Sequence, residues 1–505
     1  MTESDACIPI VERLDQIYDS SVLFFQRNRY SSLIQAYHDK FGKRPDWLVR
    51  SPGRVNLIGE HIDYAGYSVL PMAIDRDVVI AVSTRPIQDT FKIDVCNMND
   101  SVYPSRSFET ASEQPIQIDS TINEWSNYFR CGCKGALKDI DPISRRSIQA
   151  LVSGTIPAGA GLSSSSAFVC ASTIATLVSH DILKSKGEII HMAIQGEHYA
   201  GVQTGGMDQS ISIMGVQGSV LLIHFYPTLS AIPITFPTLF ETPVFVIANT
   251  LVTADKHASA HRNYNLRVVE TRLVAALLAK KLGVFDAHQL FTLRHLQNLY
   301  FSKCTVAHAD TAQLKILMGL VSEHIKSEPY TLNEVAQLLG VDENNARKTY
   351  VDNISIHEAD GFKLYQRAMH VFSEARRVLL FRDTCASVDG NSDSFLQELG
   401  CLMNQSQDSC RDLYDCSCSE IDQLTKICRN AGAFGSRLTG AGWGGCTVSL
   451  IKEGDTKAFI EKVKQEYYFT KWPMWKSDPD ALAKIDDYIF ASKPGCGAAL
   501  FSGTL

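Results

Sequence analysis

No apolar run in this chain reaches the roughly 18 residues that a membrane-spanning helix needs; the longest stretches, such as Pro243–Val252, fall short. Polybasic clusters are missing too. Lys and Arg number 48 against 55 Asp and Glu, a net charge of −7 with both signs mixed along the chain. No face is therefore offered to nucleic acid or to anionic lipid. The opening residues MTESDACIPIVERLDQ are acidic and interrupted by charge, unlike a secretory or mitochondrial leader, and the closing residues carry no prenylation or retention signal. The expected location is cytoplasmic. Metal-ligand spacing is absent among the 14 cysteines: Cys131/Cys133 and Cys416/Cys418 are C-x-C pairs with no His or second Cys pair at ligand distance. Reduced structural thiols are the expectation. Internal repeats and low-complexity tracts are lacking as well. What remains is a globular composition: 505 residues, 45% hydrophobic and 20% charged, enough to bury a sizeable core in two or three domain-sized units.

Residues 1–45 place apolar side chains at helical spacing and read as an N-terminal helical arm. Short β-branched runs between Trp47 and Phe91, including Asp77–Val82, predict strands. Residues 92–145 read as polar loops around one aromatic cluster, Trp125–Phe129. A strand over Gln149–Ile156, a Gly/Ser turn and an apolar helix over Ala167–Ser179 follow. Strands are expected again at Val220–Phe225 and Val244–Asn249, with Pro227, Pro233, Pro237 and Pro243 marking a boundary between two lobes. Leu266 to Asn430 is helix-patterned, and the last expected strands are Cys446–Ile451 and Tyr488–Ala491. This mixed order predicts an α+β architecture rather than a repeating βαβ sheet.

Four stretches carry chemistry. In Ser153-Gly-Thr-Ile-Pro-Ala-Gly-Ala-Gly-Leu-Ser-Ser-Ser-Ser-Ala167, Gly159 and Gly161 allow sharp bending and close backbone approach. Ser163 to Ser166 then fall at a helix N-terminus, where unpaired N–H groups favour phosphate oxygens. Hydroxyls there can also hold Mg²⁺. A flexible linker would not sit between a β-branched strand and an apolar helix, and no Gly-Lys-Ser/Thr follows, so this is not a Walker loop. The second stretch, Ser51-Pro-Gly-Arg-Val-Asn-Leu-Ile-Gly-Glu-His-Ile-Asp-Tyr64, crowds Arg54, Asn56, Glu60, His61 and Asp63 beside a Pro-Gly turn, a set suited to a polyhydroxylated ligand. The third, Gly205-Gly-Met-Asp-Gln209, places Asp208 beside a Gly-Gly turn; Glu197 ends the preceding helix-patterned run and could share a metal ion with the serine loop. The fourth, Ser436-Arg-Leu-Thr-Gly-Ala-Gly-Trp-Gly-Gly-Cys446, matches G-x-G-x-x-G but precedes a strand instead of opening a helix. It is expected to pass close to bound ligand rather than to bind a dinucleotide.

With these residues in view, the chain resembles the GHMP small-molecule kinases, specifically their galactokinase branch. SPGRVNLIGEHIDY is similar to the branch signature, IPAGAGLSSSSAF to the ATP-phosphate loop and SRLTGAGWGGC to the third motif. Branch-specific segments also agree: GGMDQ, NYNLRVVE (263–270), LYQRAMHVFSEARRV (364–378) and MNQSQDSCRDLYDCSCSE (403–420). The resemblance implies a two-lobed fold of mixed sheets and flanking helices with the active site between lobes, here 46–235 and 236–505. It implies transfer of the ATP γ-phosphoryl to the anomeric hydroxyl of galactose, with ATP and Mg²⁺ required and no obligate protein partner. Asp208 then takes the catalytic-base position, with Arg54 beside it. Glu60, His61, Asp63 and Tyr264 match sugar-contacting positions. Gly159, Gly161, Ser163 and Ser164 match the phosphate loop, with Ser165 taken as part of it, and Trp125 and Lys256 match positions near the nucleotide; Ser164 and Glu197 are the candidate metal ligands read from the residues themselves. Lys256 follows Asp255, where relatives often carry Asn. Two alternatives stay open. An N-acetylgalactosamine kinase shares Ser166 and the Gly66–Pro71 run, although Tyr264 is the galactokinase-type residue. A galactose-sensing transcriptional inducer is of another class; such proteins resemble the enzyme but lose residues from the serine loop, which is uninterrupted here.

Overall fold

The computed structural model describes the chain except residues 1–3, 86–89, 111–113, 115, 120–121, 123, 139, 142–143, 202–203, 238–242, 254–261, 285, 287–291, 305–306, 353, 388–391 and 504–505. Its larger sheet has seven strands in the order β1-β13-β2-β3-β6-β4-β5. These are β1 (Ile10–Val11), β2 (Trp47–Ile58), β3 (Leu70–Arg85), β4 (Phe91–Asn97), β5 (Arg106–Thr110), β6 (Ser147–Gly154) and β13 (Ala499–Phe501). A four-stranded antiparallel sheet follows the order β10-β11-β9-β12, from Gly435–Leu438, Cys446–Lys452, Pro243–Asn249 and Ile489–Ser492. The remaining strands, β7 (Ser219–His224) and β8 (Ser230–Thr235), form a hairpin.

The unbroken apolar run at the centre of β3 is explained by burial on both faces. Val78, Ile80 and Val82 enter the main core, while Val79 and Ala81 enter a second core with Tyr30, Leu33 and Tyr37 of helix α1 (Ser20–Phe41). Strand side chains alternate, so a strand sandwiched between helices needs no polar face. The main-core face carries α2 (Trp125–Leu137) and α3 (Ser164–Ser179), the latter buried almost throughout.

Several expectations are corrected. The N-terminal segment is more than a helical arm, because β1 pairs in parallel with β13 and extends the sheet. A buried carboxylate locks it there: Asp77 accepts from Tyr18 (2.5 Å), Arg29 (2.5 Å) and Arg50 (2.6 Å). Residues 92–145 are not merely loops. Phe91, Ile93 and Val95 alternate with the less buried Lys92 and Asp94 in β4, and Trp125–Phe129 opens α2, where Glu124 accepts from the Ser126 N–H. The proline-rich passage holds β8, whose Pro233 pairs opposite Leu221; a two-stranded ribbon is all edge, so the missing N–H is tolerated. Strands β10 and β13 were missed as well, each too short to show a period.

Candidate active site

The serine loop runs from the end of β6 to the start of α3, with Gly159, Gly161 and Ser163 all at positive φ. The close approach that Gly161 permits is to protein. A Cβ there would lie 2.9 Å from the Thr439 carbonyl, and one on Gly440 would lie 2.2 Å from the Gly161 carbonyl. Gly440 and Gly445 of the fourth motif are therefore nested against the serine loop backbone, while Gly442 and Gly444 pass close to the Cys416 and Val252 carbonyls. No side chain caps α3, so its first N–H groups stay available to an anion. Ser163 is buried, with its hydroxyl unpartnered among the described residues. Ser164 is half-buried at the first helical position. Ser165 donates to Glu197 Oε1 at 2.9 Å, and Ser166 to Oε2 at 2.7 Å. Glu197, in the last turn of α4 (Lys186–His198), is buried and also receives Gln209 Nε2 at 2.6 Å.

Asp208 lies in the first turn of α5 (Met207–Met214), entered through Gly206 at φ 107°. Arg54 Nε donates to Asp208 Oδ1 at 2.7 Å, and Arg54 Nη1 donates to the Gly161 carbonyl at 2.6 Å. One guanidinium thus joins the carboxylate to the serine loop. Ser166 Oγ lies 3.5 Å from Asp208 Oδ2. Glycine is required at 205, where a Cβ would meet the Asp63 carboxylate at 2.4 Å.

The turn after β2 completes the site. His61 sits at φ 60°, its Nε2 2.9 Å from the Ala441 carbonyl and its Nδ1 3.1 Å from the Tyr64 hydroxyl. Tyr64 in turn meets Tyr414 at 2.7 Å. The Tyr264 ring packs 5.5 Å from both His61 and Tyr64. Glu60 Oε2 accepts from Arg437 at 3.0 Å. Burial pushes the Glu60 carboxyl up to about 7, and burial together with the Asp208 charge pushes Asp63 to about 6.

Arg54, Glu60, His61, Asp63, Asp208 and Tyr264 all line one pocket, with Thr204, Gly206, Met207, Gly440 and Ala441. The cavity itself is narrow, about 20 Å³. Trp125 stacks on Phe168 of α3 at 6.0 Å and 10° and donates to the Pro104 carbonyl. It thus lies beside the serine-loop helix rather than in the pocket. Lys256 lies outside the described residues. Among the described residues no group of three or more His, Cys, Asp or Glu side chains is placed to hold a metal.

Residue-level reading missed the residues that hold this site in shape. Glu374 Oε1 accepts from the Gly59 and Glu60 N–H groups, and His370 Nε2 bonds the Glu60 carbonyl. Arg437, Tyr414 and Gln209 complete the set. All lie in segments 364–378, 403–420, 436–446 and 205–209, whose sequence stood out without disclosing a role.

Three family models match the chain: the galactokinase galactose-binding signature at residues 35–84, the GHMP kinases N terminal domain at 127–216 and the GHMP kinases C terminal at 392–468. The fold agrees with a solved structure of Lactococcus lactis galactokinase complexed with galactose. That match has a TM-score of 0.63 at 22% identity and covers 93% of this chain and 99% of that one. Fold and motifs together define a GHMP-type kinase. The chain is 38% identical to the galactokinase of Dictyostelium discoideum over 98% of each protein. It is also 38% identical to that of Saccharomyces cerevisiae over 93% of this chain and 94% of the yeast protein. It belongs to the galactokinase family.

Proposed function

We propose that this chain transfers the γ-phosphoryl group of ATP to the anomeric hydroxyl of galactose, releasing galactose 1-phosphate. The observation that carries the reading is the Arg54 bridge, which ties the Asp208 carboxylate in a small polar pocket to the backbone of an uncapped, serine-rich helix start. Phosphoryl transfer asks a protein chiefly for alignment and charge neutralisation. In this reading Asp208 accepts or orients the hydroxyl proton of the sugar. Arg54 pairs with that carboxylate and fixes its distance from the loop. Glu60, His61, Asp63 and Tyr264 hold the sugar, and the backbone N–H groups and hydroxyls of Gly159 to Ser165 hold the phosphates, with Trp125 and Lys256 toward the nucleotide.

Mg²⁺ is part of the proposal. The donors at the serine loop are all oxygens, and Glu197 lies within hydrogen-bond reach of two loop hydroxyls. That chemistry suits a hard cation, which needs few protein ligands because phosphate and water supply the others. Ser164 and Glu197 would hold it, and its charge would neutralise the phosphate oxygens. The two lobes, 46–235 and 236–505, are proposed to flank the site. No helix among the described residues is long and apolar enough to cross a membrane, and a cytoplasmic location is proposed. Incubating the purified chain with ATP, Mg²⁺ and galactose, and reading ADP release and sugar phosphate, tests the function. Transfer to galactose supports it. A chain that binds both ligands without transfer would instead be a sensor.

A further inference from the structure

We propose that Arg437 is a positioning residue for sugar recognition: reaching across from the second sheet, it holds the Glu60 carboxylate in the pocket as a hydrogen-bond acceptor. This rests on reading that pocket as the galactose site.

Arg437 lies on β10, opposite Val448 of β11, and is fully buried. Its fork makes two directed contacts on a different sheet: Nη2 to Glu60 Oε2 at 3.0 Å and Nη1 to the Asn56 carbonyl at 3.0 Å. One contact grips the end of β2 and the other grips the turn that follows it. Thr439, two residues on, accepts from the Asn56 N–H at 2.8 Å, so β10 and β2 are sewn together where the turn begins. The turn is held at three points. Glu374 takes its N–H groups, His370 its carbonyl, and Arg437 its side chain. Only the last binds the Glu60 side chain, and Glu60 lines the pocket.

A carboxylate so deeply buried is costly unless it is paired. Around Glu60, Arg437 and Arg54 favour the ionised form, whereas Asp208 and Glu374 oppose it. From the helix Leu364–Ala386, His370 is kept neutral, since burial pushes it down to about 4. Burial works against ionisation of Glu374, yet Arg377, Arg437, His370 and Ser406 outweigh it and hold that carboxyl at about 2. From the helix Ser392–Asp412 and the loop after it, Cys410 lies 3.9 Å from Arg437, and burial raises the Cys416 thiol well above its usual range. Arg437 is thus the cation in direct contact with Glu60, and Arg54 is committed to Asp208 and Gly161. A planar fork satisfies two acceptors at once; a lysine replaces the charge but not the bridge.

The test is galactose kcat/KM against pH, from about pH 5.5 to about pH 9, in wild type, Arg437→Met, Arg437→Lys and Glu60→Gln. Arg437→Met is expected to raise the galactose KM roughly tenfold or more, leave the ATP KM within about twofold, and move the acid limb up by about one pH unit. Arg437→Lys should return the limb toward wild type while keeping part of the KM defect. In a Glu60→Gln background, Arg437→Met should add no limb shift, because the titrating group is gone. If Arg437→Met does not fold, Arg437→Gln reads the same limb. An unshifted limb in either neutral variant, or equal losses for ATP and galactose, would overturn the inference. Wild type that transfers nothing to galactose would instead overturn the reading of the pocket on which it rests.

Discussion

Arg54 and Asp208 meet at 2.7 Å with both side chains almost out of solvent, and the same guanidinium reaches the Gly161 carbonyl at 2.6 Å. An ion pair this buried is held by geometry on both sides, since leaving either partner alone would strand a charge. Here the second contact makes it a ruler as well. It sets the distance between the carboxylate and the loop assigned to the phosphates, which is the quantity an in-line transfer depends on.

Asp208→Asn keeps the shape and most of the hydrogen bonding but removes the charge. Turnover should fall by roughly 10² or more while ATP affinity stays within a few-fold, read by steady-state kinetics and calorimetry. Near-normal turnover in a folded variant would remove Asp208 from the chemistry.

Gly440 lines the pocket assigned to the sugar, yet it should matter to ATP. An added Cβ would meet the Gly161 carbonyl at 2.2 Å, and the residue sits at φ 86°. Gly440→Ala should displace the serine loop, weakening ATP binding by roughly tenfold or more and lowering Tm. Unchanged ATP affinity would show that the nested glycines do not hold the loop.

Glu60 and Asp63 are pushed up by burial to about 7 and about 6. Below those values each becomes neutral and loses acceptor strength toward sugar hydroxyls. Galactose kcat/KM should therefore be full near pH 8 and fall as pH drops through 7 and 6, while ATP KM changes less. A flat profile down to about pH 5 would contradict the role of these carboxyls.

Asp63 also links function to stability. A carboxyl whose folded-state value lies above its unfolded one costs stability once pH exceeds the unfolded value, and the cost is complete above the folded one. At about 1.4 kcal/mol for each pH unit between the two, Asp63→Asn should gain on the order of 1–3 kcal/mol near pH 8, and nothing below about pH 4. Galactose affinity should fall in the same variant. A variant less stable than wild type at both pH values would refute this trade.

Much of the architecture was legible because its signals are local. The β-branched run at Asp77–Val82, the Gly/Ser turn into α3 and the polar crowd from Arg54 to Asp63 each announce themselves within a few residues, and the structure gathers Arg54, Glu60, His61, Asp63, Asp208 and Tyr264 into one pocket. What was not legible is long-range. Arg437 lies 377 residues from Glu60 and Glu374 lies 315 from Gly59; nothing in a window of sequence pairs them. The strand β1 was hidden for the same reason, since its partner is β13 at the far end of the chain. The glycines of the fourth motif carry a second constraint that the sequence did not disclose: Gly440 and Gly445 are tightest against serine-loop backbone, Gly442 against the Cys416 carbonyl and Gly444 against the Val252 carbonyl.

The most direct measurement compares kcat/KM for galactose and N-acetylgalactosamine at saturating MgATP, with the phosphorylated carbon of the product identified by NMR. Tyr264 lines the pocket and packs against His61 and Tyr64. A hydroxyl placed to bond a bare sugar hydroxyl loses that partner when an acetamide intrudes, at about 1–3 kcal/mol or a bias of roughly ten- to a hundredfold. Galactose is expected to be the better substrate by that margin, with phosphate on its anomeric oxygen. A higher value for N-acetylgalactosamine, phosphate on another carbon, or no transfer to either sugar would contradict the proposed function.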